Sequence, residues 1–249
     1  MTELQPAPAA ARGVVVLATD TGVGKTFVGC ALTQALRSSG FHVRVRKPVE
    51  TGCSIITDTL VPADASLLWS AAGQVDTLDD VCPLRFTLPV AAPQAAASEG
   101  VSLQFEKDIA PLLKDAGNNR HAALREFWII EGAGGALSPL TEDALNCALA
   151  TFTGLPVILI APDRLGTLST LFAHIEALAR RAIPIAAIVL NQRPAHLDAD
   201  NIGSLKRWLP ELMSQQGAAP KHRPVLLSFA QDESAQSAGK RLMDVLLNT

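Results

Sequence analysis

Gly13 to Thr19 (GVVVLAT) is a short, apolar, β-branched run, and Thr26 to Ser39 has helical spacing. The join between them reads Ala18-Thr19-Asp20-Thr21-Gly22-Val23-Gly24-Lys25-Thr26. A buried strand passing through a glycine turn directly into a helix leaves few architectures open. The helix must fold back onto a sheet, and the next strand then lies parallel to the first. The same turn has a chemical consequence. Successive backbone N–H groups point inward at the helix start, where the helix dipole also favours an anion. The spacing places Lys25 as a point charge for β- and γ-phosphates and the Thr26 hydroxyl as a Mg²⁺ ligand. The strict G-x-x-x-x-G-K-[ST] pattern would need Gly at 19, where Thr19 stands, so the loop is a longer variant of the phosphate-binding loop.

The rest of the chain repeats the alternation. Strands are predicted at 42–49, 127–130, 156–161, 184–190 and 224–229, and helices at 64–72, 167–181, 203–215 and 232–247. Residues 50–63 read as a loop. The stretch 73–126 is weaker, Pro-interrupted, with an amphipathic helix around 102–115. The fold class is therefore α/β: a mainly parallel sheet of P-loop NTPase type with helices on both faces. Residues 13–249 are expected to form one domain behind a loose Ala/Pro-rich tail, 1–12, without the apolar core of a signal peptide.

Composition narrows the function classes. Of 249 residues, 48% are hydrophobic and 18% charged, which excludes global disorder. Lys and Arg number 21 against 24 Asp and Glu, a net charge of −3, so nonspecific nucleic-acid binding is not expected. No apolar stretch approaches a membrane span. The four cysteines, 30, 53, 82 and 147, form no Cys-x-x-Cys pair and read as small buried hydrophobes of a reduced, cytoplasmic protein.

Two further strand ends carry chemistry. Phe127-Trp128-Ile129-Ile130 ends in Glu131-Gly132-Ala133-Gly134-Gly135. Ligands in parallel sheets sit beyond the carboxyl ends of the strands, so Glu131 is expected on the phosphate side as a Mg²⁺ ligand, with glycines that let backbone approach a phosphate. The second strand ends in Lys47-Pro48-Val49-Glu50-Thr51-Gly52-Cys53, which brings Lys47 to the same end as a second positive charge. Taken alone, Lys47 reads as a solvated lysine, and Asp64 reads as a helix N-cap.

Taken together, these segments resemble the dethiobiotin synthetase family. Residues 18–26 match that family's Gly-Thr-Asp-Thr-x-Val-Gly-Lys-Thr loop except at Ala18. Residues 47–53 are similar to its Lys-Pro-Val-x-[Ser/Thr]-Gly segment, and 131–135 with Pro139-Leu140-Thr141 to its Glu-Gly-Ala-Gly-Gly turn. Leu155 to Leu159, Leu165-Gly166-Thr167 and Val189-Leu190-Asn191 match later segments, so the resemblance spans about 13–195. It implies an ATP- and Mg²⁺-dependent ring-closing ligase acting on CO₂ and 7,8-diaminopelargonate through a carbamate and its phosphoric anhydride. It also implies a homodimer. By the same resemblance Lys25, Lys47 and Thr21 are catalytic, and Thr21, Thr51 and Lys47 meet the substrate. Thr26, Asp64 and Glu131 hold Mg²⁺. The nucleotide set is Gly22, Val23, Gly24, Lys25, Thr26, Phe27, Asp64, Glu131, Gly132, Ala133, Gly134 and Asn191, the last reading the adenine edge.

The chain departs from the family pattern at several positions, and residues 224–229 lack the Pro that typically follows the last strand in the adenine region. Ser169-Thr170 stand where the family has Asn-His, Gln94 where it often has His, and Ala148 where it has Asp. A related P-loop ATPase or amide ligase acting on another acceptor, and a non-catalytic nucleotide-binding relative, stay open as alternative readings.

Overall fold

The computed structural model describes residues 13–116, 125–192, 201–214 and 223–247. The tail expected at 1–12 lies outside the described residues. The first strand, β1 (Gly13–Ala18), feeds α1 (Lys25–Ser38) as expected, and Gly40 follows the helix end with φ 82. The second, β2 (His42–Arg46), stops short of the expected Val49. The Lys47 N–H turns away to donate to the Val81 carbonyl at 2.8 Å, and Pro48 has no N–H to continue a ladder. The chain resumes as β3 (Val49–Thr51). The stretch read as loop contains a hairpin of β4 (Ser54–Ile56) and β5 (Thr59–Val61). Next come α2 (Ala63–Ala71), α3 (Leu78–Val81) and β6 (Leu84–Phe86), which pairs in parallel with β3 in a small sheet of its own.

After α4 (Ala92–Ser98), the helix expected near 102–115 is a π-helical turn, Phe105–Ile109, running into α5 (Ala110–Leu113). Pro111 lacks an N–H for the usual ladder, and the Ala110 N–H reaches back to the Phe105 carbonyl instead. The remaining elements are β7 (Glu126–Glu131), α6 (Ala148–Thr153), β8 (Val157–Pro162), α7 (Thr167–Ala179), β9 (Ile185–Asn191), α8 (Asn201–Ser214), β10 (Val225–Phe229) and α9 (Ala235–Leu247). Of these only α6 lacked a sequence signal.

Six strands form one parallel sheet in the order β10-β9-β8-β1-β7-β2. Side chains alternate between its faces. Val15, Leu17, Trp128, Ile130, Leu159 and Ile188 pack on the face covered by α4, α5, α6, α7 and α8. Val14, Val16, Val45, Ile129, Ile158 and Val189 pack on the face covered by α1, α2 and α9. Because β1 lies between β7 and β8, the chain winds outward on both sides of it. That reversal of strand order opens a crevice at the carboxyl end of β1.

The exposed edge of the sheet is closed electrostatically. Arg44 and Arg46 on β2 lie 4.8 and 5.1 Å from the centre of the Trp128 ring and both donate to Asp76. Burial acts against ionised Asp76, but the two guanidinium partners win and hold its carboxyl below the ordinary aspartate range. A depressed carboxylate contributes stability above its unfolded pKa, and this is lost as pH falls through the folded value. Asp76→Asn should therefore cost about 1 kcal/mol at neutral pH after allowance for solvent screening. The difference from wild type should shrink in urea titrations as pH falls below about 4, the ordinary aspartate value, and vanish once the folded-state carboxyl is protonated. A gap that stays constant through that fall would show that Asp76 acts by packing alone.

Candidate functional site

Parallel pairing decides where the strand ends meet. Arg46 is the register partner of Ile130, so Lys47 stands level with Glu131, while Val16 of β1 is also opposite Glu131. Lys47 Nζ donates to Glu131 Oε1 at 2.7 Å, and the pair is almost wholly buried, at 3% and 1% exposure. The same oxygen accepts the Thr26 hydroxyl at 2.9 Å, which ties the start of α1 to the end of β7. Half-exposed Asp64, at the start of α2, lies 3.8 Å from Lys47 Nζ. The second oxygen, Glu131 Oε2, is buried and has no hydrogen-bond partner.

The phosphate loop closes the site from the other side. Gly24 sits at φ 97, a left-handed conformation, and a Cβ there would lie 2.1 Å from Asn191 Nδ2. Only glycine fits both demands. Asn191 is buried, and its Nδ2 donates to the Val23 carbonyl at 2.8 Å. This bond fixes the amide, and its Oδ1 is left buried without a partner. Lys25 is also buried, with Nζ 3.5 Å from the Asp20 carbonyl that accepts from it. Neither an acidic residue nor a side-chain cap occupies the first turn of α1. Thr21 and Gly22 are exposed on the loop, Val23 is buried, and Gly24, Thr26 and Phe27 are half-buried. The Thr21 N–H donates to Asp20 Oδ1 at 2.7 Å.

The Glu131 turn is held from behind. Asn146 Oδ1 accepts the Ala133 N–H, and its Nδ2 donates to the Ala133 carbonyl, both at 2.7 Å. A Cβ on Gly132 would meet Asn146 Oδ1 at 2.8 Å, so this backbone approach requires glycine. Gly134 faces the loop, with its Cβ position 3.8 Å from Thr21 Oγ1. Thr51 is half-buried at the end of β3.

Charge follows from this geometry. Burial lowers the Lys25 pKa, and the neighbouring Lys47 charge lowers it further. Burial also opposes the Lys47 charge, but Glu131 and Asp64 outweigh it and hold the ammonium above the ordinary lysine range. Burial, with Glu131 and Asp64 nearby, pushes the Cys30 thiol up to about 12. All four cysteines are free; Cys53, Cys82 and Cys147 are buried, whereas Cys30, expected to be buried as well, is half-buried on α1.

The structure thus brings Lys25, Thr26, Lys47, Asp64 and Glu131 to one end of the sheet, with Asn191 beneath the loop. Asp64 is not the N-cap of α2: Pro62 holds that position, and Asp64 is the second helical residue. Several buried polar residues escaped the sequence reading. Glu50 caps α2 from a distance, Asn146 clamps the Glu131 turn, and Asp163 accepts from Asn201 at 2.6 Å and Gln192 at 3.2 Å beside the end of β9. Only Glu50 left a trace, as a charge inside the segment that carries Lys47 and Thr51.

The donors suit a hard divalent ion. Among the described residues no three His, Cys, Asp or Glu side chains cluster as a self-sufficient metal site. Mg²⁺ does not need one, because one or two carboxylates, waters and substrate phosphates complete its shell. The unpartnered Glu131 Oε2, the Thr26 hydroxyl and the Asp64 carboxylate are oxygens of that kind.

A family model described as an AAA domain matches residues 12–225. The ATP-dependent dethiobiotin synthetase BioD of Anaeromyxobacter dehalogenans (strain 2CP-C) is 41% identical over 181 residues, covering 73% of this chain and 77% of that protein. That of Rhodopirellula baltica is 36% identical over 206 residues, covering 78% of each chain. That of Caulobacter vibrioides (strain NA1000 / CB15N) is 37% identical over 196 residues, covering 79% and 87%. Among solved structures, a DUF1611 family protein of Anabaena variabilis aligns with a TM-score of 0.48 at 15% identity, over 96% of this chain and 58% of that one.

The buried pair yields a stability test. Lys47→Ala leaves the buried Glu131 side chain without its partner charge, which should cost about 3–5 kcal/mol. Glu131→Gln added to that variant should recover part of the loss in urea unfolding. If the second substitution only adds to the first, the two side chains do not act as a pair.

Proposed function

The chain belongs to the family of ATP-dependent dethiobiotin synthetases, and from that premise we propose that it closes the ureido ring of dethiobiotin from 7,8-diaminopelargonate, CO₂ and ATP. One amine adds CO₂ and loses a proton to give a carbamate. A carbamate oxygen attacks the γ-phosphorus, and ADP leaves. The second amine attacks the carbamoyl carbon and loses a proton, the C–O bond breaks so that phosphate leaves with the carbamate oxygen, and the ring closes.

The observation that carries the reading is the convergence of two buried lysines and the Thr26–Glu131 contact at the phosphate loop. Phosphoryl transfer asks a protein mainly for positioning and charge neutralisation. In this reading Gly22 to Phe27 wrap the phosphates, Lys25 binds the β- and γ-oxygens, and Lys47 stabilises the carbamate and transferring phosphoryl group. Gly132, Ala133 and Gly134 line the opposite wall. Thr21 and Thr51 contact the reacting amine or carbamate. Thr26, Asp64 and Glu131 would hold Mg²⁺, which supplies neutralisation of the β- and γ-phosphate charge. The free Asn191 Oδ1 suits the amino group of adenine, an N–H donor.

The acceptor's carboxylate is assigned to the start of α7. Gly166 caps it at φ 89 without a side-chain acceptor; the Thr167 N–H donates to the Arg164 carbonyl at 3.2 Å, so the dock falls to the N–H groups of Leu168 and Ser169. The reading makes this dock part of a two-fold homodimer, with each acceptor site completed by the other copy. It takes 13–249 as one working unit, in keeping with the continuous six-stranded sheet, and places the protein in the cytoplasm. No described helix is long and apolar enough to cross a membrane.

Phosphate release with ATP, Mg²⁺ and bicarbonate should depend on added 7,8-diaminopelargonate. Release that ignores this amine would overturn the acceptor assignment. Lys25→Ala should abolish turnover with the fold intact, because a preorganised group of this kind is worth about 3–4 kcal/mol at the transition state. Hydrolysis within about threefold of wild type, a difference under 1 kcal/mol, would refute its role. Ser169 is exposed on the first turn of α7 and offers fewer hydrogen bonds than Asn. Ser169→Asn should lower the KM for the acceptor by up to about tenfold and leave that for ATP unchanged. An active monomer in sedimentation, or no change in either constant, would contradict the dock.

A further inference from the structure

Glu50 is almost wholly buried on β3, yet nothing in the proposed chemistry uses it. Its Oε1 accepts the Asp64 N–H at 3.0 Å and its Oε2 accepts the Ala65 N–H at 2.8 Å. These are first-turn amides of α2, whose own N-cap position is Pro62 and provides no side-chain cap. A serine or aspartate at that position would have satisfied such an amide at no burial cost. Instead the cap comes from 14 and 15 residues away and places a carboxylate beside a second one.

The difference between the two solutions is what they hold together. A local cap ties a helix to itself. Glu50 ties α2 to the short segment that carries Lys47 on one side and Thr51 on the other. The chain between Glu50 and Asp64 leaves the site as an exposed β4–β5 hairpin, which gives Asp64 little anchorage. From the opposite end Glu50 is pinned by the pairing of β3 with β6, in which it stands opposite Arg85. Its carboxylate is therefore a bracket that sets the Asp64 backbone at a fixed distance from Lys47 and Glu131.

We propose that Glu50 is a positioning residue for the divalent cation: it touches neither ion nor nucleotide and acts by holding Asp64 where its carboxylate can join Thr26 and Glu131. This rests on the reading of Asp64 as a metal ligand, and the two fail in different ways. The probe is Mn²⁺, with affinity read by electron paramagnetic resonance in the presence of adenylyl imidodiphosphate, and amide exchange followed at 64 and 65. Glu50→Ala should weaken Mn²⁺ about tenfold, the low end for residues that orient a metal ligand. Glu50→Gln, which keeps one acceptor, should fall between Glu50→Ala and wild type. Exchange at Asp64 and Ala65 should accelerate in both variants, with the amides of β7 unchanged and metal-free nucleotide affinity within about twofold, as for a site left intact. In an Asp64→Asn background, Glu50→Ala should have no further effect on Mn²⁺, because it acts through Asp64. If Asp64→Asn weakens Mn²⁺ and neither Glu50 variant does, the inference is wrong and the metal reading stands. The same holds if Glu50→Ala costs as much with Asn at 64 as with Asp. If Asp64→Asn leaves Mn²⁺ binding unchanged, the metal reading falls and this inference with it. Should Glu50→Ala fail to fold, Glu50→Gln decides the comparison.

Discussion

The buried ion pair of Lys47 and Glu131 is the contact on which the site's geometry depends. Two charges removed from water are costly, and their attraction offsets that cost only with good geometry and further hydrogen bonds. Here the parallel register of β2 and β7 brings the two residues level, and the 2.7 Å contact follows from it. Thr26 adds a second hydrogen bond to the same oxygen, so the phosphate loop, the β7 end and the β2 end are tied through one atom. A hydrophobic pair would hold strands together as well. It would not leave an ammonium and a free carboxylate oxygen beside a phosphate loop.

The frame around this pair is organised to keep backbone approaches short. Gly24 lets the loop close over Asn191, and Gly132 lets the Glu131 turn close over Asn146. Asn191 secures the first by donating to the Val23 carbonyl, and Asn146 the second by accepting the Ala133 N–H and donating to the Ala133 carbonyl. Glu50 does the same for the start of α2. The polar residues behind the site thus act on backbone, while those in front remain available to a ligand.

Much of the fold was legible in the sequence for a physical reason. Strands buried on both faces of a parallel sheet must be continuous apolar runs, and β1, β8 and β9 are such runs. Their ends were equally legible, because a parallel sheet puts every carboxyl end on one side, which located Lys47 and Glu131 together with Lys25. What failed was local hydrogen bonding without a period. Lys47 leaves the β2 ladder for Val81, and the helix near 105 becomes a π-helical turn where Pro111 withholds an N–H. Glu50 and Asn146 bind backbone amides 13 to 15 residues away. Such contacts leave no mark in composition or spacing, and Asp64 looked like an N-cap because the true cap was remote.

The proposed chemistry makes one demand that no simple ATPase meets: the oxygen that leaves with phosphate must come from CO₂. Turnover with ¹⁸O-labelled CO₂ in unlabelled water, quenched before the label exchanges, reads this directly by mass spectrometry of the released phosphate. The expected result is labelled phosphate, with one ¹⁸O per molecule, formed only when 7,8-diaminopelargonate is present. Unlabelled phosphate released at the full rate with that amine present would mean that water or another group attacks the γ-phosphorus, and that the site does not phosphorylate a carbamate.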